Sequence, residues 1–197
     1  MPINIKDRAQ NIIMTPDTEW GVIEAEPTTV VDIYREYILI LAAIPPVARF
    51  LRGLMFGYHV GPGPNVHFGA FSGLLGAIAA YVFSLVMIYV ISLAVSYLAP
   101  NFGGVRDDLQ AFKLTAYAYT PAWLAGVFTL IPGLGFLGVL GLYGLYLFYL
   151  GAPRFVKVPR ERAMAFTAVI VVVTIVLGFI AGGLAYMLSP GPGSAMP

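Results

Sequence analysis

Cysteine is absent from the 197 residues, which excludes disulfides, thiolate metal ligands and cysteine nucleophiles. Histidine is nearly absent: His59 and His67 are the only two, and no acid falls near either one. A zinc site or a Ser-His-Asp arrangement therefore lacks its parts within one chain. No catalytic residue, cofactor or metal is expected. Charge is scarce as well, at 11% of residues against about 25% in soluble domains. The net charge of +1 leaves no basic field for nucleic acid, so no nucleic-acid partner is expected. The first 36 residues hold seven acids and no apolar run, which is not the pattern of a signal peptide.

What is abundant is apolar: 59% of residues are hydrophobic, and the mean hydropathy is +0.83. Five segments stand out, at about 37–56, 68–98, 113–130, 134–150 and 163–187. At 1.5 Å per residue each crosses a hydrocarbon core of about 30 Å, the second with length to spare and the fourth barely. The expected fold is all-α and polytopic, with five membrane helices spanning residues 37–188. A polar segment, 1–36, precedes them and a Gly/Pro-rich tail, 189–197, follows. In the polar segment TPDTEW (Thr15–Trp20) reads as a helix start, with Thr15 as cap, Pro16 in the first turn and Asp17 and Glu19 at the positive helix end. Two short helices on the membrane surface follow from this, with Trp20 at headgroup depth.

Cations set the orientation. Nine of the eleven Lys and Arg residues fall on one side of a five-span arrangement, and Arg49 and Arg52 lie inside the first span. The positive-inside rule then places the N-terminus in the cytoplasm and the C-terminus outside.

Three constellations are candidates for chemistry or assembly. In KLTAYAYTPAWL, Lys113, Tyr117 and Thr120 share one helical stripe, and Pro121 denies the Tyr117 carbonyl its helical donor near mid-span. This is a polar notch for a cation or small polar solute, or else a joint in which hydroxyls bond neighbouring helices. In IPPVARFLRGL, Arg49, Arg52 and, if the helix continues, His59 lie within about 80° of one another. A guanidinium at a membrane-helix centre costs about 2.5–3.5 kcal/mol, so the group reads as an anion or lipid-phosphate site or as arginines snorkelling to headgroups. Glycines supply the third pattern. Gly69, Gly73 and Gly76 form a close-packing face on the second segment, Gly138 and Gly141 belong to a three-residue repeat that spirals round the fourth, and Gly178 and Gly182 mark the fifth.

The order TPDTEW, ILAAIPPVA, APNFGG, QAFKLTAYAYTPAWLAG, IPGLG and LYGLYLFYLGAPRFVKVP resembles the bacterial branch of the Yip family. These are five-span proteins related to eukaryotic Rab-interacting membrane proteins. The resemblance runs from about Ile5 to Met187, with Phe102 to Pro159 as its most specific part. It implies a cytoplasmic N-terminus and five spans. In eukaryotic members the association is with prenylated Rab GTPases and vesicle traffic, through an N-terminal region longer than the 36 residues present in this chain. Arg49 and Arg52 depart from the pattern. The expected function is membrane organisation through protein or lipid contacts, without catalysis. Expected partners are the bilayer, anionic lipid, a second copy of the chain and an unidentified protein. The alternative is a small permease or channel for an ion or polar solute, acting as an oligomer.

Overall fold

The computed structural model describes residues 4–57 and 70–188, and among them every regular element is helical. Helix α1 (Ile5–Met14) begins at Asn4, whose side chain accepts the Asp7 amide, and α2 (Pro16–Ala25) begins with proline in its first turn. Only Thr15 separates the two, so they form a helical hairpin. Helix α3 (Val30–Phe56) opens with a capping box between Thr29 and Asp32. It widens into a π-helical turn at Tyr34–Ile38 and breaks at residues 42–43, restarting at Ile44. Pro45 and Pro46 cause the break, because neither can donate to a carbonyl of the preceding turn.

Helix α4 (Ala70–Leu98) is about 43 Å long by its rise and tightens into a 3-10 turn at Ala99–Phe102. Helices α5 (Asp108–Ala118) and α6 (Thr120–Ala125) are two pieces of the third apolar segment, divided at Tyr119 by Pro121 and continued by a 3-10 stretch, Gly126–Leu130. A second 3-10 stretch, Gly135–Leu142, leads into α7 (Tyr143–Phe155), and α8 (Arg160–Leu188) is the last described element.

Among the described residues four helices are long and apolar enough to cross a membrane: Val30–Phe56, Ala70–Phe102, Gly135–Phe155 and Arg160–Ile180. The chain is an all-α polytopic membrane protein. The third of the five expected spans is absent from the four because it is broken, and it lies at the centre of the bundle, with every residue from Ala111 to Ala118 buried.

The hairpin makes contacts that the sequence did not show. Its apolar residues Ile12, Trp20 and Ile23 are at most 1% exposed, so α1 and α2 pack against the bundle. Trp20 stands edge-on to Phe155 at 5.1 Å. Its slot is Gly151, where an added Cβ would lie 2.5 Å from Leu114 Cδ1 and 3.2 Å from the Trp20 ring. At the hairpin tip, the Tyr143 hydroxyl donates to the Ile13 carbonyl at 3.0 Å. Tyr143 precedes Arg154 by eleven residues, about 16 Å of helix, so the tip reaches well into the depth of the bundle.

Burial divides the bundle into two halves. Near the hairpin, the core is supplied by buried residues of the stretch Ile88–Ala99, by Ala111–Ala118 of α5, and by buried residues of α7 from Gly144 onward and of Ala163–Ile170 in α8. In the far half, large apolar side chains point outward: Phe71 is 75%, Phe136 69% and Phe179 79% exposed. Lipid tails are as apolar as these side chains, so no hydrophobic force drives that half closed.

Candidate functional site

The polar residues of the third segment meet the hairpin and α3. Lys113 is 2% exposed, and its ammonium donates to three carbonyls at the end of α2: Ile23 at 2.8 Å, Glu24 at 3.3 Å and Glu26 at 2.7 Å. Helix carbonyls at a C-terminus lack intrahelical donors and carry the negative end of the dipole, and a lysine from a distant helix answers both needs. Lys113 thus fixes where α2 ends.

Arg8 completes the anchorage from inside the hairpin. It is buried and forks between Glu19 at 2.7 Å and Glu26 at 2.6 Å, while its guanidinium carbon stands 5.8 Å from the Tyr117 ring centre. Two cations, Arg8 and Lys113, and two carboxylates, Glu19 and Glu26, therefore share one junction with formal charges in balance. At the more exposed edge, Lys157 reaches Glu24 at 2.7 Å.

Farther along the stripe, the Thr120 hydroxyl donates at 2.7 Å to the Tyr117 carbonyl, the acceptor that Pro121 leaves without its helical donor. With its proton so committed, Thr120 accepts from the Tyr37 hydroxyl at 2.7 Å. The π-helical turn in α3 serves this contact: it turns Tyr37 and Ile38 inward together, and both are fully buried. The Tyr37 and Tyr117 rings pack at 4.7 Å. The Tyr117 hydroxyl, the Trp20 indole nitrogen and the Gln110 amide oxygen are buried with no hydrogen-bond partner among the described residues.

The candidate notch residues Lys113, Tyr117, Thr120 and Pro121 are thus brought together on one seam, and the seam is occupied by the chain's own hairpin and by Tyr37. Sequence reading missed Arg8, Glu19, Glu26 and Tyr37. The available signal was the arginine between the isoleucines of α1, matched by acids eleven and eighteen residues later.

Arg49 and Arg52 lie on α3 beyond the proline break, Arg49 exposed and Arg52 half-buried. His59 falls outside the described residues, so its place beside them is not assigned. Arg49 borders a cavity of about 390 Å³ between α3 and α4, which also includes Phe50, Ser72, Gly73 and Gly76.

The packing glycines divide in two. An added Cβ at Gly73 would touch the Phe50 ring at 3.4 Å, and one at Gly141 would crowd the Ala122 Cα at 3.1 Å. At Gly76, Gly138, Gly178 and Gly182 it would meet no described atom within 4 Å, so these four make no close helix approach among the described residues. Gly69 lies outside the described residues. The expected glycine spiral on the fourth segment is also corrected. Residues Gly135–Leu142 are 3-10 helical, with three residues per turn, so Gly135, Gly138 and Gly141 stack along one line.

Other features are structural. Asp107 caps α5 by accepting the Gln110 amide at 2.9 Å, and Asp108 accepts from the Ser96 hydroxyl at 2.5 Å. The loop at Gly104 joins the end of α7 through Val105 N–H to Val156 O at 2.8 Å, and Val158 Cγ2 would lie 2.7 Å from an added Cβ at Gly104. Among the described residues no group of three or more His, Cys, Asp or Glu residues could hold a metal ion.

Comparison with known proteins agrees with a membrane protein. The Yip1 domain family model matches residues 11–182, from the end of α1 through most of α8. Inner membrane protein YohC of Escherichia coli strain K12 is 27% identical over 157 residues, covering 78% of this chain and 80% of the relative. The protein of the same name in E. coli O6:H1 matches to the same extent. No solved structure matches.

Proposed function

The chain belongs to the Yip1 domain family, and we propose that it is a non-catalytic inner-membrane protein that works through protein and lipid contacts. In this reading the third segment is a fifth, broken crossing, the N-terminus and hairpin lie on the cytoplasmic side, and the C-terminus lies outside. Arg154, Lys157, Arg160 and Arg162 on one side support that orientation. The inner-membrane assignment draws on the YohC relatives, which carry that location in their name.

One observation carries the reading. The groups that a permease would line a route with are engaged inside the protein: Lys113 by three α2 carbonyls, and Thr120 by the Tyr117 carbonyl and the Tyr37 hydroxyl. Opening a path there requires withdrawing the hairpin and breaking the Arg8 ion pairs, which costs several kcal/mol per uncompensated buried charge. The exposed apolar surface and the open glycines of the far half are suited to lipid or to a second copy of the chain.

The test is purified full-length protein in liposomes loaded with monovalent cations, with chloride and with small polar solutes. The expected result is flux no greater than that of protein-free liposomes. Reproducible flux that is lost in Thr120→Val would overturn the reading in favour of a permease.

A further inference from the structure

We infer that the cavity bounded by α4, the broken third segment, α7 and α8 is a binding site for one acyl chain of a bilayer lipid, which enters sideways between α7 and α8. The inference rests on the lipid-contact reading above and gives it a ligand class, a place and an entrance.

The cavity has a volume of about 290 Å³, and its lining carries no charged side chain. Its four hydroxyls have already committed their protons. Thr115, Thr167 and Thr174 each donate at 2.8 Å to the carbonyl four residues earlier, and the Tyr119 hydroxyl is hydrogen-bonded to the Thr174 side chain. A buried water is held by about two to four polar partners, whereas an apolar cavity of about 150 Å³ stays dry and takes up benzene. Hydrocarbon therefore suits this lining better than water or a polar solute.

The entrance is set by which walls are closed. Toward the third segment the glycines of α7 seal the cavity: a Cβ added at Gly144 would run into the Ala118 carbonyl, and one at Gly141 would lie 3.1 Å from the Ala122 Cα. On the opposite side Leu145 and Ile175 line the cavity and also face outward, 42% and 52% exposed. The entrance is thus continuous with the apolar surface that the bundle turns to lipid. Leu145 precedes the end of α7 by ten residues, about 15 Å, and Ile175 follows the start of α8 by fifteen, about 22 Å. Arg154 and Arg160 mark the membrane boundary at those ends, so in a hydrocarbon core about 30 Å thick the entrance lies near the middle. A neighbouring lipid presents chain at that depth, and no headgroup. Every lining residue is described, and Ile91, the wall on α4, is about 31 Å of helix from Ala70.

The test uses the full chain in liposomes containing phosphatidylglycerol or phosphatidylcholine with a photoreactive diazirine halfway along one acyl chain, the labelled residues being mapped by peptide mass spectrometry. Outward-facing Val172 should be labelled as an ordinary lipid contact. The site predicts label on Ala118 and Ile170 as well, although they are only 4% and 5% exposed, and to the same extent with both headgroups. Val171→Trp, which fills the cavity, should cut that inner label about fivefold. Val172→Trp, at the adjacent outward position, should leave it unchanged, with circular dichroism as the folding control for both. Because the chain has no cysteine, Val171→Cys supplies a sole thiol, and a charged methanethiosulfonate should leave it unmodified while modifying Val105→Cys in the exposed loop before α5. Absence of the inner label, an inner label confined to one headgroup or surviving Val171→Trp, or modification of Val171→Cys would each overturn the proposal. Liposome flux is read separately: flux from a protein that takes the inner label would break the functional reading and leave the site standing, while no flux and no inner label would do the reverse.

Discussion

The two halves of this bundle differ in how they are held. Around the hairpin, helices are joined by Lys113 on the α2 carbonyls, by Arg8 between Glu19 and Glu26, and by Tyr37 on Thr120. In the far half, Phe71, Phe136 and Phe179 face outward, and a Cβ added at Gly76, Gly138, Gly178 or Gly182 would meet no atom of the described residues within 4 Å. Lipid removes the hydrophobic reward for helix association, so polar bonds and shape decide which helices meet. The hairpin half has both devices.

Substitutions that remove polar anchors should separate the halves, and the largest effect belongs to Arg8. Arg8→Ala leaves Glu19 buried beside Tyr117, and stability measured by denaturant unfolding in micelles should fall by about 3–5 kcal/mol. If the loss is below about 1 kcal/mol, the ion pairs do not hold the hairpin. Lys113→Met keeps the length of the side chain and removes its charge-assisted hydrogen bonds, for an expected loss of about 1.5–3 kcal/mol. Hydrogen exchange should localise that loss to the amides of α2, with the amides of Ala70–Leu85 unchanged.

Thr120→Val is a smaller change. It strips the Tyr117 carbonyl of its donor and the Tyr37 hydroxyl of its acceptor, at an expected cost of about 1–3 kcal/mol by thermal unfolding. The smallest effect is expected in the far half: Gly138→Leu and Gly178→Leu should change the stability of the monomer by no more than about 0.5 kcal/mol. A large loss at either position, together with a shift in oligomeric mass, would place a second copy of the chain there.

The division also marks how far the sequence could be read. Apolar runs such as Ala70–Leu98 and Arg160–Ile180 identify themselves, since length and hydropathy suffice to place a span. Pro121 and Thr120 were legible as a break with a nearby hydroxyl, because the missing donor and its substitute are adjacent in sequence. The hairpin was not legible. Its anchors join residues far apart, Lys113 to Ile23 across 90 positions, and its weak amphipathicity suits a membrane surface as well as a protein groove. The glycine repeat misled for a different reason: a spiral follows from α-helical rise, whereas Gly135–Leu142 winds at three residues per turn.

Tryptophan fluorescence tests the central claim, that the hairpin is docked in the bundle and fills the seam at Lys113, Tyr117 and Thr120. The chain has two tryptophans, so Trp123→Phe leaves Trp20 as the sole reporter. In bilayers its emission should be blue-shifted and protected from both acrylamide and headgroup-level spin-labelled lipid, and Lys113→Met should remove that protection. A Trp20 quenched by headgroup-level labels in the otherwise native chain would put the hairpin on the membrane surface and contradict the account.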